Sequence, residues 1–188
     1  MVYSSAVRVM ISMLRGVNLG PHNRVKMDEL RAMYASLGLR DIQTYVQSGN
    51  VIFGTDKGGA ALVRKIEEAI ARKFGFRCDV VIRTTAELRD VVARNPFKGR
   101  HVVPEKLLVT FLADPPERGG GEKFRKIVSA SLEQVRLDGR ELYIYFPNGV
   151  GRSKLQWHAL AEALGTTGTA RNWNSVTKML AMAEKLES

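Results

Sequence analysis

Residues 8–53, RVMISMLRGVNLGPHNRVKMDELRAMYASLGLRDIQTYVQSGNVIF, decide how this chain folds. They open with a β-rich apolar run over 8–15 that stops at Gly16. After a Gly- and Asn-rich loop, Met27, Leu30, Met33, Tyr34 and Leu37 recur at spacings of three and four until Gly38, which lines one side of a helix. Residues 42–46 and 51–53 then read as two strands joined by a tight turn at Gln47-Ser48-Gly49-Asn50. Beyond them, Leu62, Ile66, Ala69, Ile70 and Phe74 mark a second helix closed by Gly75, and 79–82 reads as a fourth strand. The order βαββαβ within about 75 residues is the split-βαβ, ferredoxin-like pattern.

The same order then returns. Thr84-Thr85-Ala86-Glu87 is a capping box that opens a connecting helix, and Pro96 bounds it. Residues 107–112 read as a strand, 123–130 as a helix, 134–137 and 141–146 as a hairpin turning at Asp138-Gly139, 153–164 as a helix, 169–173 as a short strand and 174–186 as a closing helix. The loosest loop, Pro115-Pro116 with Gly119-Gly120-Gly121, falls inside this second repeat. The expected class is α+β: two tandem ferredoxin-like α/β plaits with antiparallel sheets. Residues 1–94 form the first repeat with its connecting helix, and 95–188 the second with its closing helix.

Composition narrows the function classes. A chain of 188 residues with 45% hydrophobic and 26% charged residues is ordinary globular stock, which excludes extended disorder. No apolar run approaches the roughly 18 residues of a spanning helix, so no membrane partner is expected. A single cysteine, Cys78, excludes an internal disulfide and any multi-cysteine metal site, and points to a reducing cytoplasm. The net charge of +10 is uneven. Windows 1–27, 91–104, 142–161 and 163–183 lack carboxylates and hold eleven bases, among them Arg94, Lys98 and Arg100. The other residues carry eighteen bases against nineteen acids. Cationic stretches rich in Gly, Asn and Ser favour phosphates and other anions.

Topology groups these stretches. In a βαββαβ sheet the loop after the first strand lies beside the hairpin turn, so Arg15, Asn18, Gly20, Asn23, Arg24 and Lys26 should adjoin Gln47, Ser48 and Asn50. Glycine there permits close backbone approach, and the next helix N-terminus offers free amides. At the opposite edge of the second repeat, Asn148 to Lys154, with Arg152, Ser153 and Lys154, should approach Arg171, Asn172, Trp173 and Asn174, with Lys178 nearby. There too a Gly-rich turn is expected to lead directly into a helix N-terminus.

At these residues the chain resembles a known family. RGVNLG (15–20) with NRVKM (23–27), YVQSGNVIF (45–53), NPF (95–97), GRSKL (151–155) and TARNWNSVTKML (169–180) are similar to an uncharacterised bacterial family known only as a domain of unknown function. Its solved members have two ferredoxin-like plaits, so the resemblance implies that fold. It implies no catalytic residues. The chain departs where members usually have a second Gly and often Lys, here Pro21 and His22, and where Thr is common, here Ser175. Pro21 removes one amide from the first loop.

No recognisable catalytic set accompanies these motifs. His22, His101 and His158 are far apart, Ser48 sits in a hairpin turn, and no paired carboxylates stand in the cationic windows. Neither cofactor nor metal is therefore expected, and the glycine patterns match no nucleotide-loop signature. Tyr143 and Tyr145 alternate onto one face of a central strand, where RNA-binding plaits stack bases. Three readings stand at this point. The first is a binding protein for an anionic ligand, with nucleic acid or a nucleotide-like, phosphorylated small molecule as partner. The second is an enzyme acting on a small phosphorylated or carboxylated substrate between the repeats. The third is a structural or interaction module whose Asn/Gly motifs are hydrogen-bonded turns. Oligomeric state is open, because unpaired sheet edges can join chains.

Overall fold

The computed structural model describes residues 7–99, 102–116 and 121–188; Arg100, His101, Gly119 and Gly120 lie outside them. By internal packing the chain forms two units, residues 7–90 with Lys178–Ser188, and Val91–Thr177. The first contains β1 (Arg8–Leu14), α1 (Met27–Ser36), β2 (Arg40–Tyr45), β3 (Asn50–Thr55), α2 (Ala60–Phe74) and β4 (Val80–Thr84). The second contains β5 (Leu107–Leu112), α4 (Gly121–Ser129), β6 (Gln134–Asp138), β7 (Glu141–Tyr145), α5 (Trp157–Leu164) and β8 (Gly168–Asn172). Two further helices, α3 (Thr85–Ala93) and α6 (Trp173–Glu187), follow β4 and β8 and each have residues in both units. Sheet orders are β2-β3-β1-β4 and β6-β7-β5-β8, with every pairing antiparallel. The chain is two tandem ferredoxin-like plaits.

Period-two burial explains the first sheet. Met10 and Leu14 of β1 and Val51 and Phe53 of β3 enter one apolar core with Leu30, Met33 and Tyr34 of α1 and Leu62, Ile66 and Ile70 of α2. Ser12, between Met10 and Leu14, is buried among them and shares a 2.8 Å hydrogen bond with the Tyr34 hydroxyl. That bond satisfies two buried polar groups at once. Tyr34 also meets Phe53 edge-on at 5.5 Å. In the second unit Leu142, Ile144 and Phe146 form a core with Phe124, Leu160 and Leu164 from α4 and α5. The other face of each sheet is buried too: Ile11, Ile52, Val81 and Arg83 in one, and Val109, Phe111, Tyr143 and Arg171 in the other.

Local signals behave as their chemistry requires. The Thr84 amide donates to Glu87 Oε2 at 2.8 Å and the Glu87 amide to Thr84 Oγ1 at 3.1 Å, the reciprocal bonds of a capping box. Gly75 ends α2 in the left-handed conformation, its amide on the Ala71 carbonyl. One expectation is corrected. Ser153 does not start a helix: Val150–Arg152 is a single 3-10 turn, and α5 begins only at Trp157. Ser153 Oγ accepts the Leu155 amide at 3.0 Å, and the Trp157 amide returns to the Leu155 carbonyl at 3.0 Å. Those local bonds compete with the helical ones and delay the helix.

Candidate functional site

The N-terminal edge assembles as the topology requires, because β1 and β3 are neighbours. The Leu14 amide donates to the Gly49 carbonyl at 2.9 Å, which joins the loop after β1 to the hairpin turn. Asn18 then ties the two together. Its Nδ2 donates to the Gln47 carbonyl at 2.7 Å and the Val25 carbonyl at 2.9 Å, while Oδ1 accepts the Val25 amide at 2.9 Å. Asn18 holds φ 56° and Asn23 φ 54°, a left-handed conformation that asparagine tolerates better than most residues. In the turn, buried Asn50 donates to the Ser48 hydroxyl at 2.9 Å and the Tyr45 carbonyl at 3.1 Å. The Asn18, Ser48 and Asn50 side chains expected to orient a ligand here are engaged in holding the loop and the turn, whereas Gln47 is exposed and is bonded through its backbone carbonyl.

Most cations of this edge are answered as well. Arg15 pairs with Asp79 at 2.9 Å, Lys26 with Glu29 at 3.6 Å, and Arg31 with Asp28. Asp28 and Glu29 sit in the first turn of α1, where their charge meets the positive end of the helix dipole. The carboxylate-free window of 1–27 thus acquires acids in space that it lacks in sequence. Arg24 and His22 are exposed with no ion pair among the described residues, and Gly20 is exposed as well. Cys78 is buried, and its thiol donates to the Arg15 carbonyl at 3.3 Å.

The second expected edge divides. β5 lies between β7 and β8, so the ends of those two strands stand apart by about two strand spacings of roughly 4.8 Å each. Asn172 is paired across β5 with Leu108, its Oδ1 accepts the Ser175 amide at 2.8 Å, and Asn174 donates to Glu105 at 3.1 Å. Asn172 is therefore the N-cap of α6. Arg171 does not hold a cation out to solvent. It is 7% exposed, and its Nη1 donates to Thr169 Oγ1 at 2.7 Å and the Ala170 carbonyl at 2.8 Å. Trp173 is half-buried, while Lys178 is exposed.

Arg152 and Lys154 instead face a different wall. With Asn148, Pro147, Leu155 and Gln156 they line one side of a cavity of about 560 Å³, and Lys126, Ile127, Ala130, Ser131, Leu132 and Glu133 line the other. Packing of α4 on α5, linked by a 2.8 Å Lys123–Glu162 ion pair, brings these segments together. Lys126 is paired with Glu122 at 2.9 Å, whereas Arg152 and Lys154 make no ion pair among the described residues. Burial would raise the Glu133 carboxyl, but hydrogen bonds from Ser153, from Ser131 and from the Glu133 and Leu132 amides hold it below its ordinary pKa. The cavity thus has an apolar floor of Ile127, Pro147 and Leu155, one carboxylate already engaged by hydroxyls, and two unpaired cations. The end of α4 was not among the sequence candidates. Its only local sign is Lys126, which reads as an ordinary i, i+4 partner of Glu122.

The sheet tyrosines are structural. Tyr143 is fully buried and its hydroxyl donates to the Val91 carbonyl at 2.8 Å. Tyr145 packs on Phe97 at 6.0 Å, and Phe97 is itself set by its amide on Asn95 Oδ1 at 2.9 Å. Tyr143 therefore offers no open face for base stacking, whereas Tyr145 is half-buried with Phe97 against its ring. His158 is exposed on α5. No helix of the described residues is long and apolar enough to cross a membrane.

Comparison with known proteins agrees with this architecture. The conserved bacterial protein SP0830 from Streptococcus pneumoniae is 20% identical, with a TM-score of 0.70, over 95% of this chain and 99% of that one. A likeness at that identity is one of fold. No curated protein matches the chain. The family model described as "Protein of unknown function (DUF1697)" matches residues 7–143, and since that span is most of the chain, the protein belongs to this family.

Proposed function

We propose that this protein binds a small anionic ligand, phosphorylated or carboxylated, in the cavity lined by Arg152 and Lys154. The observation that carries the reading is the coincidence of shape and charge. A volume of about 560 Å³ lies within the roughly 300–1,000 Å³ of small-molecule sites, which are mostly apolar with a few placed polar groups. The two cations at its wall have no ion-pair partner among the described residues. Exchanging water for a phosphate or carboxylate there gains charge-assisted hydrogen bonds, bidentate ones from the Arg152 guanidinium. Asn148 and Gln156 add amides to the same wall. A polymeric nucleic acid calls for a broad basic stripe, whereas at the N-terminal edge Arg15 and Lys26 are paired with Asp79 and Glu29, leaving Arg24.

The test is a thermal-shift and calorimetric titration with inorganic phosphate, sugar phosphates and short RNA, at two salt concentrations. A small phosphate compound at a hundred times its Kd should stabilise the protein by about 2.7 kcal/mol. The Arg152→Ala/Lys154→Ala protein should fold normally and lose that stabilisation. Binding of RNA alone, falling steeply with salt as counterion release requires, would overturn the reading.

A further inference from the structure

Polarity around this cavity differs between its walls, and the difference bears on what can enter it with an anion. The wall from residues 147–156 offers side chains that are free to bind: the cations Arg152 and Lys154, and the Asn148 and Gln156 amides, none of which makes a side-chain hydrogen bond among the described residues. On the wall from residues 126–133, Lys126 is held by Glu122, the Glu133 amide donates to Ser131 Oγ at 3.2 Å, and the Glu133 carboxylate accepts from the Ser153 hydroxyl. Each polar side chain of that wall thus has a partner in the protein. What the wall has left for a ligand is the surface of Ile127, Ala130 and Leu132, to which Pro147 and Leu155 add more apolar lining from the other segment. A ligand hydroxyl pressed against Ile127 or Leu132 gives up its water and gains no partner, which is penalised. A methylene in the same place is favoured.

We infer that the ligand is an amphiphilic anion: one carboxylate or phosphate held by Arg152 and Lys154, on an apolar acyl, alkyl or aryl body that lies against Ile127, Ala130 and Leu132. This rests on the anion-binding reading above and adds the rest of the ligand. A sugar phosphate carries hydroxyls all round its ring and suits this cavity poorly, whereas a body without polar atoms asks for no partner on the 126–133 wall. A volume of about 560 Å³ is that of a site for one small molecule, so the body is a single short chain or ring.

The experiment titrates the full chain calorimetrically with two series, carboxylates from butanoate to octanoate and alkyl phosphates from butyl to octyl, beside inorganic phosphate, ribose 5-phosphate and uncharged hexanol. Affinity should rise roughly 2- to 4-fold with each added methylene, and the series that binds more tightly identifies the head group. Ribose 5-phosphate should bind no better than inorganic phosphate. Arg152→Ala/Lys154→Ala should lose the hexyl anions, and Leu132→Ser should flatten the rise with chain length. Affinity independent of chain length, ribose 5-phosphate binding as tightly as hexyl phosphate, or an undiminished rise in Leu132→Ser would overturn the apolar body and leave the anion site standing. Hexanol binding as tightly as the hexyl anions, or failure of every anion to bind, would overturn both. Should Leu132→Ser not fold, the dependence on chain length in the unaltered protein decides by itself.

Discussion

Asn18 shows why a motif that looks like a ligand grip can be a fastener. One of its hydrogen bonds crosses from the loop to Gln47, two more close the loop on Val25, and its backbone sits at a positive φ. Asn18→Ala removes the bonds and places a Cβ-bearing residue without a compensating side chain in the left-handed region. The expected loss is about 2–3 kcal/mol, read as a lower urea midpoint with unchanged slope. Asn50 and Ser48 behave alike, since Asn50 is fully buried and its donors are taken within the turn. From sequence alone the amides of RGVNLG and QSGN look equally fit to hold a ligand or each other. The choice depends on whether a backbone carbonyl from a residue 29 positions away arrives within reach, as that of Gln47 does for Asn18.

Helices and turns obey chemistry that is nearly all local, so their positions were legible. The capping box over Thr84 and Glu87, the left-handed Gly75 and the apolar spacing of α1 and α2 each depend on residues within four positions. Thr84→Ala should accordingly cost about 1 kcal/mol of stability, while Thr84→Ser keeps the acceptor and costs less; chemical denaturation of the two variants separates them. The start of α5 was misplaced by four residues for a reason of the same kind. The pattern of residues 153–164 is helical throughout, but the Ser153 hydroxyl captures the Leu155 amide, and apolar periodicity carries no sign of such a side-chain bond. That delay leaves Ser153 and Lys154 on irregular backbone instead of on a helix, with Lys154 on the cavity wall.

Across the whole molecule, high pH acts on two buried phenols, one in each unit. Burial is the main cause that raises Tyr34, opposed by the Ser12 hydrogen bond and assisted by the nearby Cys78. For Tyr143, burial again leads, opposed by Arg94 and assisted by Glu141 and Asp138. An unfolded phenol titrates near pH 10, and both folded groups lie higher. Their contribution to stability is therefore complete below about pH 10 and is lost as pH rises from there towards the folded values. Urea midpoints measured from about pH 8 to 12 should fall above pH 10, and the fall should be shallower in Tyr34→Phe/Tyr143→Phe.

Strand, helix and turn order, and with it the tandem plait, follow from the residues in sequence, because the 2.0 and 3.6 periods, caps and glycine turns are short-range properties of the chain. The placement of charge is not. Arg15 is neutralised by Asp79, 64 positions away, and Arg171 is folded into its own strand end. For Arg152 and Lys154, no carboxylate among the described residues lies within ion-pair reach. A count of bases in a window cannot distinguish these cases, since ion pairing falls off over a few ångströms of space and not along the sequence. The cavity belongs to the same class of property: residues 126–133 and 147–156 become its two walls only when α4 and α5 bury their apolar faces in one core.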